Sequence, residues 1–199
     1  MTPERLRLAV IIGSVREGRF APVVARWFVT QAESRHRLQV EVIDLATTPL
    51  PYAQQSRPVP DGVYDSPLVR AFADRIRIAD AFVIVTPEYN HGYPGPLKLA
   101  IDSVCPEWHA KPVGFVAYGG ISGGLRAVEQ LRPVFAELQA VTIRNTVSFH
   151  RVHGQFDTDG NLKDPDTFSA AAAALLDQLT WWAGVLRNAR ATCTCEQRV

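Results

Sequence analysis

The sequence predicts an α/β fold in which a five-stranded parallel sheet carries helices on both faces as a three-layer sandwich. Three observations lead there. Short apolar runs alternate five times with longer stretches of helical periodicity. The runs at 7–12 (RLAVII), 81–86 (AFVIVT) and 112–118 (PVGFVAY) are apolar almost throughout, the mark of strands covered on both sides. The chain has 199 residues, 47% of them hydrophobic and 21% charged, with no repeat and no shift in composition, so one domain spanning 1–199 is expected.

The elements follow in order. The first strand, 7–12, stops at Gly13. A helix over 20–34 places Val23, Val24, Trp27, Phe28 and Ala32 at helical spacing. Leu38, Val40 and Val42 alternate in a second strand, 38–45. Pro67 opens a helix to about 79, with Leu68, Phe72 and Ile76 on one face. The third strand, 81–86, precedes a short helix over 95–104. The fourth strand, 112–118, leads to a helix over 125–138 with Val128, Leu131 and Phe135 inward. A fifth strand, 141–147, and a long helix from 166 to about 188 complete the pattern, and right-handed crossovers leave few topologies for it.

Several function classes fall away. No apolar run approaches the ~20 residues that cross a bilayer, and 1–7 lacks a small-residue cleavage site. A net charge of +1 gives no bulk attraction to nucleic acid or to an acidic membrane. Cys105, Cys193 and Cys195 form no disulfide framework, so a reduced, cytoplasmic protein is expected, with 190–199 as a flexible tail. His36, His91, His109, His150 and His153 show no metal-ligand spacing, and no G-x-S-x-G elbow is present. Two connections are long, 46–66 and 148–164, which is common where loops carry function. Within the second, Asp157-Thr158-Asp159-Gly160 reads as a hairpin turn rather than a calcium loop.

Three loops leave carboxyl ends of strands, where ligands of open α/β sheets bind. Gly13-Ser14-Val15-Arg16-Glu17-Gly18-Arg19-Phe20 is not a dinucleotide fingerprint. It also misses a Walker loop, because Arg19 stands in the lysine position and Phe20 removes the magnesium-holding hydroxyl. Amides at a helix start, a serine and one or two guanidinium forks suit a phosphate monoester; the plainer reading is turn glycines with solvated arginines. Pro87-Glu88-Tyr89-Asn90-His91-Gly92-Tyr93-Pro94-Gly95 is stiffened by prolines and suits the edge of a planar heterocycle, or an aromatic subunit contact. Tyr118-Gly119-Gly120-Ile121-Ser122-Gly123-Gly124 permits close approach of a ligand or of another backbone.

These residues resemble one family. Gly13-Ser14-x-Arg16, Pro87-Glu88-Tyr89-Asn90, Pro94-Gly95-x-Leu97-Lys98, Ala100-Ile101-Asp102 and Gly120-x-x-Gly123-Gly124 are similar to the NADPH-dependent FMN reductases, over about residues 6–145. The resemblance implies a flavodoxin-like sheet of order 2-1-3-4-5 and non-covalent FMN. Ser14, Arg16 and the backbone of Gly18, Arg19 and Phe20 would hold the phosphate, with the Arg19 fork in place of a common serine. Pro87, Glu88, Tyr89 and Asn90 would lie along the isoalloxazine; Tyr118, Gly119 and Gly120 would approach its pyrimidine edge. Tyr118 replaces a small hydroxyl residue, and His91-Gly92-Tyr93 departs from the usual small polar residues. The implied reaction is a ping-pong transfer from NADPH or NADH through FMN to a small acceptor such as a quinone, a flavin or an azo compound. FMN carries that chemistry, so no catalytic acid or base and no metal is named. The resemblance also implies a homodimer, or a homotetramer built from dimers, with Trp108 and the 95–104 helix near the partner. Two rival readings are a flavodoxin-type electron carrier without nicotinamide turnover and a flavin-binding regulatory protein.

Overall fold

The computed structural model describes residues 5–192. Its strands are β1 (Leu6–Ile12), β2 (Leu38–Asp44), β3 (Ala81–Pro87), β4 (Pro112–Tyr118) and β5 (Val141–Phe149). All neighbours pair in parallel, in the order β2-β1-β3-β4-β5. The helices are α1 (Ala21–Glu33), α2 (Pro67–Ile78), α3 (Gly95–Asp102), α4 (Leu125–Glu137) and α5 (Pro165–Thr192). Side chains of successive strand residues point to opposite faces. Leu8, Val10, Val83 and Val116 therefore join the core under α1 and α5, while Ala9, Ile11, Phe82 and Phe115 join the core under α2, α3 and α4. Every residue of β3 and β4 is buried, which is why their sequences do not alternate.

The strand order reverses between β1 and β3, so the loops leaving those two strands splay apart and open a crevice. Expectation and structure differ in a few places. Leu68 is 47% exposed, and Val69 takes its inward position beside Phe72 and Ile76. β5 runs two residues further, because Ser148 and Phe149 pair with Ala117 and Tyr118 and the Phe149 ring stacks on Phe168. Helix α5 continues to Thr192, where Arg190 donates to the Ala110 carbonyl and pairs with Asp80, so residues 190–192 are helical rather than tail. Cys193 and Cys195 lie outside the described residues. The Asp157 turn is a hairpin: Phe156 pairs with Leu162, and the Asp157 carboxylate accepts the N–H groups of Asp159 and Asn161. Trp108 is buried, its indole N–H shared between the Ile101 and Val104 carbonyls, so it belongs to the core and not to a subunit contact.

One core feature has a measurable pH signature. Lys111 precedes β4 and is buried, with its ammonium against the Ile76 and Arg77 carbonyls at the end of α2. Burial pushes its pKa down to about 7, with Arg190 adding to the effect. The unfolded chain then holds this proton up to a pH of about 10.4, while the folded chain releases it near 7. Folding stability is thus expected to rise with pH between those values, by at most about 1.4 kcal/mol per unit. Urea unfolding at pH 7.5 and 9 would show the rise, and Lys111→Met is expected to flatten it.

Candidate functional site

The first loop leaves β1 and enters α1. Gly13 N–H donates to Val85 O and ties the loop to the end of β3. Gly18 turns it at φ +65°. Helix α1 starts with Phe20 in the capping position, which offers no side-chain acceptor, and no acidic residue stands in the first turn. Pro22 has no N–H and Val23 N–H donates to Phe20 O, which leaves the Phe20 and Ala21 amides for an anion. Ser14 is fully buried, and its hydroxyl shares a 2.8 Å hydrogen bond with the Tyr89 hydroxyl. The Arg16 side chain is exposed and meets no partner among the described residues.

Arg19 behaves differently from the expectation. Its guanidinium clasps Asp44 through two bonds of 2.6 and 2.5 Å and also donates to the Ser14 carbonyl. Arg19 thus shapes the loop, and of the two arginines Arg16 alone presents a guanidinium with no partner among the described residues. Burial by itself would raise the Asp44 pKa, but the Arg19 fork and the Ala46 N–H outweigh it and hold the carboxyl below its ordinary range. Asp44 was invisible as a partner in the sequence; it ends β2 beside β1, which is what brings it to Arg19.

The second loop holds a tight turn. Tyr89 and Gly92 exchange both backbone hydrogen bonds, at 2.9 and 3.0 Å, and the two central residues, Asn90 and His91, have φ of +50° and +73°. That is the geometry of a two-residue hairpin turn, which Asn favours and His tolerates under strain. Gln130 of α4 holds it by donating to the His91 carbonyl. Glu88 does not face outward. Its side chain is 4% exposed and accepts the Ser122 hydroxyl together with the backbone and guanidinium of Arg126. Burial opposes the charge, but these bonds prevail and lower the carboxyl pKa. Glu88 is thus a clamp between the second and third loops.

In the third loop Gly119 N–H is used internally, donating to Phe149 O. The Tyr118 side chain points to the face covered by α1 and α5. Its hydroxyl lies near Ser14, Tyr89 and Arg19, yet among the described residues it is the one buried side-chain polar atom without a hydrogen-bond partner. Burial, with the neighbouring Tyr89, raises its pKa and keeps the phenol protonated. Phe20 packs edge-on against His153 and Phe156, so the 148–164 connection closes over the start of α1.

The structure thus gathers Ser14, Arg16, Phe20, Tyr89 and Tyr118 at the switch point, sets Asn90 and Gly120 at its rim, and withdraws the Arg19 and Glu88 side chains into supporting roles. These residues fit FMN chemically. A helix start, two hydroxyls and a free guanidinium suit its phosphate, and the orphan Tyr118 phenol supplies a hydroxyl to a polar chain. Cavity size does not mark this place: a groove of about 670 Å³ lies between the α1–β2 connection and α5, lined by residues such as Arg35, His36 and Trp181, and contains none of them. Asp44, Arg126, Gln130 and Ser148 escaped the sequence reading, while Ser122 entered it only as part of the third loop and His150 only as a histidine without metal-ligand spacing. For Asp44 and Ser148 the available signal was a polar residue at a strand end; Arg126 and Gln130 stand on α4 and gave none.

Comparison with known proteins gives a consistent result. The family model described as NADPH-dependent FMN reductase matches residues 6–154. A protein of Schizosaccharomyces pombe named NAD(P)H-dependent FMN reductase is 38% identical over 129 residues, which are 61% of this chain and 64% of that one. A Solanum tuberosum protein named NAD(P)H:quinone oxidoreductase is 34% identical over 182 residues, 86% of this chain and 90% of that one. The solved structure of FerB, a flavoenzyme NAD(P)H:(acceptor) oxidoreductase from Paracoccus denitrificans, superposes with a TM-score of 0.70 over 88% of this chain and 98% of its own; at 23% identity it shows the shared fold.

Proposed function

The chain belongs to the NADPH-dependent FMN reductase family, and from that premise we propose that it is an FMN-dependent NAD(P)H oxidoreductase serving a small diffusible acceptor. FMN held here would supply the electron transfer from NAD(P)H to the acceptor, and the protein would bind, orient and tune it. Ser14, Arg16 and the Phe20 and Ala21 amides at the start of α1 hold the phosphate. Arg19, locked on Asp44, keeps the Ser14 carbonyl and the loop in place. The Tyr118 phenol, which has no hydrogen-bond partner among the described residues, bonds the cofactor. The turn at Asn90 and His91 and the loop at Gly119 and Gly120 form the rim along the ring, which stays open to the nicotinamide and then to the acceptor. Quinones are the acceptor class suggested by the name of the potato relative.

The observation that carries this reading is the meeting of Ser14, Tyr89 and the unpartnered Tyr118 hydroxyl beside an uncapped helix start. The protein acts in the cytoplasm as a homodimer; its described cysteine is a free thiol, and a partner would cover Ile121 and Leu125, which the fold leaves exposed beside the glycine loop. The visible spectrum of the purified protein tests the core of the proposal. Oxidised-flavin absorption that bleaches on NADPH addition without air, with steady NADPH consumption once a quinone is added, is the expected result. Bound flavin that stays oxidised would mean an electron carrier, and no flavin after FMN addition would overturn the cofactor assignment.

A further inference from the structure

The carbonyl groups of the glycine loop after β4 are held from one side. Val152 N–H donates to Gly119 O at 3.1 Å and Arg151 N–H to Gly120 O at 2.7 Å. His150 Nδ1 lies 2.7 Å from Ile121 O, and Ser148 Oγ donates to Gly123 O at 2.9 Å. All four donors come from the end of β5 and the short turn behind it. A carbonyl only accepts, so Nδ1 of His150 carries a proton.

The described peptide bonds are all trans, and in a trans peptide unit the N–H points opposite to the C=O. The N–H groups of Gly120, Ile121 and Ser122 are therefore turned away from β5. None of them meets an acceptor among the described residues. From the other flank Glu88 takes the Ser122 hydroxyl and the Arg126 N–H and leaves these three amides unclaimed. Successive amides facing one way make a surface that donates and does not accept, suited to negative charge.

We propose that His150 is a positioning residue: by holding the Ile121 carbonyl toward β5 it keeps this loop donor-only, and so raises the reduction potential of bound FMN. The inference rests on the FMN reading above, and His150 itself need not touch the cofactor. Its imidazole is seated on bare backbone. A Cβ on Gly123, which sits at φ +62°, would stand 2.7 Å from the ring Cδ2 and 2.8 Å from Nε2. Without the imidazole the Ile121–Ser122 peptide is free to turn, which sets a carbonyl oxygen where an N–H stood. That oxygen opposes the charge FMN acquires on reduction more than it opposes the oxidised ring.

The test uses full-length wild type, His150→Ala, His150→Asn and His150→Leu. FMN affinity of the apoproteins is read by flavin fluorescence, and the midpoint potential of the loaded proteins by dye equilibration. His150→Ala is expected to bind the reduced form about tenfold more weakly relative to the oxidised form, a drop of about 30 mV for the two-electron couple. His150→Asn, whose amide can donate from nearly the same place, is expected to restore the potential. A wild-type potential in FMN-loaded His150→Ala, or equal weakening of both redox forms, overturns the proposal. If His150→Ala does not fold, His150→Leu decides: it keeps much of the bulk and removes the donor to Ile121 O, it is expected to shift the potential the same way, and no shift overturns the proposal. A wild type that binds no FMN refutes the functional reading instead, and is recognised before any variant is measured.

Discussion

Arg16→Ala is expected to weaken FMN binding by about 1.5–3 kcal/mol, roughly ten- to a hundredfold, while leaving folding stability nearly unchanged. The guanidinium is exposed and has no partner among the described residues, so the fold loses nothing with it. A phosphate at the start of α1 would lose a charged bond of the strong kind. Arg19→Ala is expected to show the reverse profile. Its fork holds Asp44 and the Ser14 carbonyl, and the pair is largely enclosed, with side chains 14% and 22% exposed. Removing it leaves a partly buried carboxylate alone and should lower unfolding stability by about 1–3 kcal/mol. FMN titration of both apoproteins, with urea unfolding of each, separates the roles. If Arg16→Ala keeps wild-type affinity and Arg19→Ala loses it without loss of stability, the assignment of the phosphate fork is reversed.

Gly124→Ala is expected to be the most damaging single change on this edge of the sheet. Gly124 has φ +85°, and a Cβ there would stand 2.7 Å from the Tyr118 nitrogen and 2.7 Å from the Ala117 Cβ. The left-handed conformation alone costs an alanine about 1–2 kcal/mol, and the contact, made with β4 backbone that cannot retreat, adds about 1–3 more. The loop would have to move away from β4, taking Ser122 from Glu88 and the free amides from the site. Gly120→Ala is the control, since a Cβ there meets nothing within 4 Å and is expected to change stability by less than about 0.5 kcal/mol. Equal stability of the two variants in urea would show that the close approach at Gly124 is not maintained in solution.

Much of this architecture was legible in the chain. The runs at β3 and β4 are apolar at every position because helices cover both faces, and that pattern survives without knowledge of neighbours. Helix faces with three or four apolar residues at regular spacing, such as Val128, Leu131 and Phe135, were equally readable. The errors cluster where a choice depends on contacts distant in sequence. Leu68 and Val69 are both apolar and adjacent, and only the direction of α2 across the sheet decides that Val69 goes in. Trp108, an aromatic in a connecting segment, looked available to a partner until the carbonyls of Ile101 and Val104 claimed its N–H.

The same division runs through the site. Local composition determined that three loops with glycine, proline and hydroxyl residues leave the carboxyl ends of strands, because turn chemistry and strand periodicity are properties of a few consecutive residues. Which polar group faces a ligand and which is consumed by the fold was decided only by tertiary structure. Arg16 and Arg19 are three residues apart and chemically identical, yet the end of β2 places Asp44 against one and nothing against the other. Glu88 became a clamp through Ser122 and Arg126, and the carbonyls of the glycine loop are held by Ser148, His150, Arg151 and Val152 from the end of another strand. Hydrogen bonding is pairwise and short-ranged, so a side chain's role is set by the partner the topology brings within about 3 Å, and that partner is not written beside it in the sequence.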